Sequence, residues 1–446
     1  MADRHFRKAW VVTVDMGYGH ERASHALNDL AYSDVIVANN YPGIPEADKR
    51  LWKESRILYE AFSRFKSVPI VGPVVWDVFD SFQEIKPFYP RRDLSKPSLQ
   101  VLQLYHLIEK KGLGRDLIET LRNKRKLPLV CTFFLPAFAA DYFDYPEDIY
   151  LVTTDADVSR AWVAKDPKRS RIKYFASNGR VVERLKLYGV PPENIFLTGF
   201  PLSKDLIGGA AYGTIKRDLG ERICHLDPNA VFYAKYEDTI RKEIGAMNCR
   251  REPTHPLTLT FSVGGAGAQR ELGLQIAESL REKIRSGKIL LNLVAGTKKD
   301  AAAYFKRGLM ELGLGSDLGE GVHIQYFPDR SSYFRKFDQL VRHSDILWTK
   351  PSELSFYTGI GLPIIVAPPI GSQEKFNELW LRTVGGGTPQ HDPRYADEWL
   401  FDWVESGGLA RMAWNGFIEA PTHGAYRIEE IITGLPVELE KLPLIV

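Results

Sequence analysis

Cysteine is scarce: Cys131, Cys224 and Cys249 are the three in 446 residues, far apart and in no C-x-x-C spacing. That pattern excludes a disulfide framework and a cysteine zinc site, and it points to a reducing compartment, the cytoplasm. Long apolar runs are missing as well. No stretch approaches the roughly 20 residues that cross a bilayer. The apolar run after the basic opening MADRHFRKAW is cut short at Asp15, so it reads as a buried strand rather than a secretory signal. FKSVPIVGPVVWDVF, Phe65 to Phe79, comes nearest, but it is broken by Pro69 and Pro73 and starts between Arg64 and Lys66. It is expected as a buried loop and helix, with peripheral contact to a membrane surface as the alternative. Charge of one sign is lacking too. Lys and Arg number 59 against 56 Asp and Glu, a formal +3, which excludes an argument for nucleic acid from charge. The cluster Arg122, Lys124, Arg125 and Lys126 is expected as a solvated face.

What is present is a long alternation. A chain of 446 residues is comfortable for two domains. Short β-branched runs alternate with helical patterns, which predicts α/β architecture with parallel sheets covered by helices on both faces. Expected strands are Ala9–Val14, Val35–Ala38, Leu127–Thr132, Ile149–Thr154, Lys173–Ala176 and Ile195–Thr198. Residues 1–202 form the expected first domain, and 203–256 a helical insertion and linker with few strand signals. The strand–turn–helix theme restarts at Leu257 in a second domain, 257–410. Its further strands are Ile289–Ala295, Val322–Phe327, Ile346–Thr349 and Pro363–Ala367. Residues 411–446 are a tail expected to return to the first domain.

Three turns carry candidate chemistry. VVTVDMGYGHERASHAL, from Val11, runs a strand into Gly17, Gly19 and His20 and then a helix. Such a turn presents backbone N–H groups to an anion or serves as plain scaffolding; a helix opening does not require a histidine. FSVGGAGAQREL places Gly264, Gly265 and Gly267 between a strand and a helix, where glycines admit a phosphate closely. The dinucleotide pattern G-x-G-x-x-G is not matched, which argues against a nicotinamide cofactor. DILWTKPSELSFYTGIGLPIIVAPPIGSQEKFN ends a strand at Thr349. It then offers Pro351 and Ser352 as first-turn and capping residues for a helix carrying Glu353. Gln373, Glu374 and Asn377 follow at the next helix opening, where amides and a carboxylate suit sugar hydroxyls; the plain alternative is N-capping by Ser372. Asp155 and Asp157 form a D-x-D after a first-domain strand. Asp155 is expected to orient a neighbour and Asp157 to be solvated, with no metal required.

DMGYGHERA, TTDADVSRAWV, YFASNGRVVERLKLYGVPPENIFLTGFP, VGGAGAQ and TKPSELSFYTGIGLPIIVAPPIGSQEKFN occur in that order. Together they resemble the bacterial cell-wall glycosyltransferase MurG and plant monogalactosyldiacylglycerol synthases, over about residues 9–390. The resemblance implies a GT-B fold, two Rossmann-like domains facing across a cleft. It implies an inverting hexosyl transfer from a nucleotide sugar, usually a UDP-sugar, to an acceptor hydroxyl, with a lipid among the acceptors. The nucleotide sugar is then a co-substrate and no other cofactor is expected. His20 becomes the base, Asp155 a neighbour in the acceptor site, and the 264–267 turn with Thr349, Ser352 and Glu353 the diphosphate and nucleotide site. Gln373, Glu374 and Asn377 become the sugar site. In relatives a glutamate that contacts the ribose occupies the slot of Phe356 here, and Glu353, three residues earlier, is the expected substitute. Two alternatives remain: a sugar-nucleotide 2-epimerase, and a non-catalytic nucleotide-sugar-binding protein.

Overall fold

The computed structural model describes residues 8–53, 85–250, 252–262 and 269–439. Phe65–Phe79 lies outside them. The chain divides into two compact units. One comprises Met1–Leu202, Ile370–Phe376 and His423–Val446, and the other Ser203–Pro369 and Asn377–Thr422.

The first unit holds a six-stranded sheet in the order β2-β1-β3-β4-β5-β6. Its strands are β1 (Trp10–Thr13), β2 (Ile36–Val37), β3 (Leu129–Cys131), β4 (Ile149–Val152), β5 (Ile172–Ala176) and β6 (Ile195–Leu197). Every pairing is parallel. Parallel sheets are covered on both faces, so their strands are apolar throughout rather than alternating. β1 shows this: Trp10 and Val12 enter one core cluster, and Val11 enters another with Val130, Tyr150 and Phe175. The chain runs from β1 to β2 on one side and returns to β3 on the other. That reversal leaves a crevice at the carboxyl ends of β1 and β3, where open α/β sheets bind ligands. The helix Gly424–Thr433 buries Ala425, Ile428 and Ile432 in the Val11 cluster. Its first residue approaches so closely that a Cβ on Gly424 would lie 2.4 Å from the Phe200 carbonyl oxygen.

The second unit repeats the theme with β7 (Leu257–Ser262), β8 (Ile289–Gly296), β9 (Val322–Tyr326), β10 (Ile346–Thr349), β11 (Ile364–Val366) and β12 (Gly387–Pro389). Their order is β12-β11-β10-β7-β8-β9, again all parallel. Here the reversal falls between β7 and β10. β12 has no counterpart in the sequence-based expectation, because three residues containing a glycine and a proline carry no strand signal. It holds an edge position, where proline is tolerated. The helices Gly213–Leu226 and Val231–Ile244 group with this unit. Arg222 on the first of them is buried, and its guanidinium donates to the carbonyl oxygens of Val341, Ser344, Ile360 and Gly361 at 2.9–3.2 Å. The helix Gly408–Glu419 also belongs to this unit. No helix among the described residues is long and apolar enough to cross a membrane.

Candidate functional site

At the carboxyl end of β1, Gly17 has φ 112°, a conformation that side chains resist. It precedes the helix Tyr18–His25, whose opening receives no side-chain cap. Gly19 and His20 are the second and third residues of that helix. The His20 Nδ1 lies 2.8 Å from the carbonyl oxygen of Thr132, the residue after β3. A carbonyl oxygen only accepts, so Nδ1 carries the proton and the neutral ring presents its lone pair at Nε2. The Thr154 hydroxyl stands 3.3 Å from the same Nδ1. His20 therefore spans the β1/β3 reversal point, locked in one tautomer.

Aromatic rings surround this imidazole. Phe133 meets it edge-on at 4.9 Å and Trp162 at 5.9 Å between centroids. Trp162 is buried, while Phe133 keeps part of its surface open. Burial pushes the His20 pKa from 6.5 down to about 4, with the Thr132 bond opposing the fall. The ring is thus neutral throughout the physiological range. Thr132, Thr154 and Phe133 were not anticipated. A backbone carbonyl has no residue-type signature, and the threonines look like ordinary strand ends.

The D-x-D divides. Asp155 is half-buried, and its backbone carbonyl accepts from the Ser177 hydroxyl at 2.6 Å. Asp157, expected in solvent, is instead buried. Arg184 grips its two oxygens at 2.8 and 2.7 Å, and Arg180 adds a contact at 3.3 Å. The two arginines sit four residues apart on the helix Gly179–Leu187, so they share a face. Arg184 also donates to the Lys86 carbonyl oxygen at 2.8 Å. A carboxylate this occupied is unsuited to binding a metal. Asp15 has its backbone N–H bonded to the Asn39 side chain at 2.8 Å. The orienting bond to Nδ1 comes from Thr132.

In the second unit, Gly264, Gly265 and Gly267 lie outside the described residues. Thr349 ends β10 with its hydroxyl donating to the Ser262 carbonyl oxygen at 3.2 Å. The helix expected after Ser352 is a 3-10 helix, Glu353–Ile360, and the Ser352 side chain caps nothing. The reason is in the residues: Phe356, Tyr357, Thr358 and Gly359 are indifferent to poor α-helix formers, and all are buried. Phe356 is fully enclosed with its ring 4.9 Å from Trp380. Glu353 is half-buried at the opening of the 3-10 helix, where i and i+3 side chains eclipse. The helix Ser372–Thr383 carries the expected sugar-binding residues. Glu374 accepts from the Ile370 backbone N–H at 2.7 Å, a loop-bracing role. Gln373 is half-buried and Asn377 buried; Gln373 and Glu374 group with the first unit and Asn377 with the second.

His225, His255 and Asp345 are the one group among the described residues whose ligand atoms approach closely enough to suggest a metal. The hydrogen bonds favour a polar tie instead. His225 Nε2 accepts from the Thr254 backbone N–H at 3.2 Å, which leaves Nδ1 to donate to Asp345 at 2.9 Å. Both nitrogens of the neutral ring are used.

Comparison with known proteins places these sites in context. Residues 302–426 match a family described as "Domain of unknown function (DUF6938)". The processive diacylglycerol beta-glucosyltransferase of Bacillus licheniformis is 22% identical over 389 residues, 84% of this chain and 81% of that protein. The enzyme of the same name from Bacillus mycoides is 23% identical over 400 residues, 86% of this chain and 82% of that protein. Among solved structures, MurG of Acinetobacter baumannii aligns over 96% of this chain and 100% of its own, at 10% identity and a TM-score of 0.48.

Proposed function

We propose that this chain is an inverting glycosyltransferase that moves a hexosyl group from a UDP-sugar to the hydroxyl of a diacylglycerol-type lipid, working in peripheral contact with a bilayer. The observation that carries this is the His20 tautomer: a neutral imidazole with its basic nitrogen free, at the reversal point of the first sheet. The relatives support the substrate class, since their names specify transfer of glucose to diacylglycerol.

In the proposed reaction Nε2 takes the acceptor proton as the acceptor oxygen attacks the anomeric carbon. The bond from that carbon to the diphosphate oxygen breaks, and the electron pair leaves on UDP. One displacement inverts the centre and needs one base. The diphosphate is assigned to the turn 264–267, with the opening of the helix Arg270–Ser279 and the Thr349–Ser352 stretch beside the β7/β10 reversal. Backbone N–H groups and a helix dipole there would offset its charge. Gln373, Glu374 and Asn377 remain assigned to the sugar, and Glu353 to the nucleoside. The nucleotide sugar is the co-substrate, and no step calls on Asp155 or Asp157 to hold a metal.

The test is to incubate the purified protein with UDP-glucose and diacylglycerol in mixed micelles, following UDP release and glucolipid. Glucolipid formation is the expected result. A C2 isomer of the sugar without transfer identifies an epimerase, and binding without turnover a non-catalytic protein; either sinks the proposal.

A further inference from the structure

The two threonines that follow β4 divide their work. Thr153 serves the frame. Its backbone N–H and its hydroxyl both donate to the carbonyl oxygen of Phe175, at 3.0 and 3.1 Å, and its hydroxyl oxygen accepts from the Ser177 backbone N–H at 3.1 Å. Thr154 takes no part in this. Its side chain is buried, and among the described residues the one hydrogen-bonding partner of its hydroxyl is the Nδ1 of His20 at 3.3 Å. A hydroxyl can donate once and accept twice, so a buried one with a single long contact contributes poorly to stability. Valine has nearly the same shape without that cost and suits a strand end well. Stability therefore does not account for the hydroxyl here.

The bond from Nδ1–H to the Thr132 carbonyl limits what Thr154 can do. That nitrogen already carries the proton, so the Thr154 oxygen faces it as a second acceptor. Beside a neutral ring, a second acceptor at 3.3 Å adds little. Once Nε2 has taken a proton, the imidazolium spreads its charge over both nitrogens, and a hydrogen bond from a charged donor is roughly twice as strong as one between neutral groups. Such contacts are often long in the resting enzyme and tighten as the reaction proceeds.

We infer that Thr154 is a positioning residue for the base: its hydroxyl oxygen shares the His20 Nδ1–H with the Thr132 carbonyl and favours the imidazolium that forms as the acceptor hydroxyl loses its proton. The inference rests on the transferase reading above, with His20 as the base. Thr154 acts through the ring and not on the reacting atoms. Its interaction is stronger after proton transfer than before, which is the condition for raising kcat rather than lowering KM.

Two variants separate positioning from plain structure. Thr154→Val removes the oxygen and keeps the volume, and Thr154→Ser keeps the oxygen. For each, the melting temperature is measured, then kcat and KM for UDP-glucose in the glucolipid assay. The His20 ring is then titrated by NMR in nitrogen-15 histidine-labelled protein, its signals assigned by their loss in His20→Gln. The valine variant is expected to melt at or above the parent temperature and to keep its KM, while kcat falls about ten-fold; the serine variant should recover most of that loss. The ring should titrate below the parent value of about 4 in the valine variant, because the cation has lost an acceptor, and near it in the serine variant. Parental kcat in Thr154→Val overturns the inference, as does a ring that titrates there as in the parent. A loss of kcat that comes with a lower melting temperature and no recovery by serine overturns it too. If the unaltered protein makes glucolipid and both variants match it, only the positioning role fails. If the unaltered protein makes none, the transferase reading fails first and this role with it.

Discussion

The Nδ1–H of His20 is held by the carbonyl oxygen of Thr132 at 2.8 Å, and this bond decides which nitrogen can act. With Nε2 as the base and a pKa near 4, kcat/KM should be flat through the neutral range and fall only as the pH nears 4. His20→Ala should lower turnover about 10²–10⁴-fold with donor binding intact. An inflection near 6.5, or near-normal turnover in His20→Asn, would remove this imidazole from the mechanism.

The same depressed pKa makes His20 a site of acid sensitivity. The unfolded chain takes up its proton near pH 6.5, and the folded one only near pH 4. The unfolded state therefore binds more protons between those values, and stability falls as the pH drops through that window. The difference amounts to about 3 kcal/mol once complete. His20→Gln should flatten that part of the profile in urea titrations run at successive pH values. An unchanged slope would mean the ring is already solvated in the native state.

Phe133 tests the cause of the shift. Its ring covers His20 edge-on at 4.9 Å. Phe133→Ala should admit water, so the acid limb of the activity profile moves up from about 4 toward 6.5. If the limb stays in place, Trp162 and the strand ends alone account for the burial.

Asp157 should behave as half of a buried ion pair. Asp157→Ala strands the Arg184 guanidinium and is expected to cost roughly 3–5 kcal/mol by chemical denaturation. Asp157→Leu combined with Arg184→Met should recover most of that, because the uncompensated charge is gone. A cost below about 1 kcal/mol, the range of surface pairs, would contradict the buried geometry.

Phe356 is not an interchangeable ribose position. Phe356→Glu places a charge in a closed apolar site against Trp380, so the melting temperature should drop sharply rather than nucleotide affinity improve. Glu353→Gln should instead weaken UDP binding with little effect on melting. The reverse pattern in the pair would return the nucleoside to the Phe356 slot.

Much of this architecture is legible from sequence because parallel strands buried on both faces are continuous apolar runs: β10 appears at the expected residues, and most other strands within one or two. β12 was invisible because Gly387–Pro389 has no apolar run to detect. The helix after Ser352 is legible as a helix, but a capping serine and a proline mark a start without specifying the pitch, which is 3-10. His20 was found by residue type, whereas Thr132, acting through its backbone, could emerge only from the register that sets β3 beside β1. Asp157 was misplaced for a related reason: its partners lie 23 and 27 residues further along the chain.

The helix Gly424–Thr433 has a consequence for biosynthesis. Its Ala425, Ile428 and Ile432 complete a core that also contains Ala9 and Val11, so a ribosome making this protein must deliver residue 432 before the sheet begun at residue 10 is covered on that face. Until then part of that apolar surface stays open, and surface exposed in this way during folding is prone to aggregation. A stop codon before residue 424 would accordingly do more than shorten the protein: it would leave its first domain unfinished.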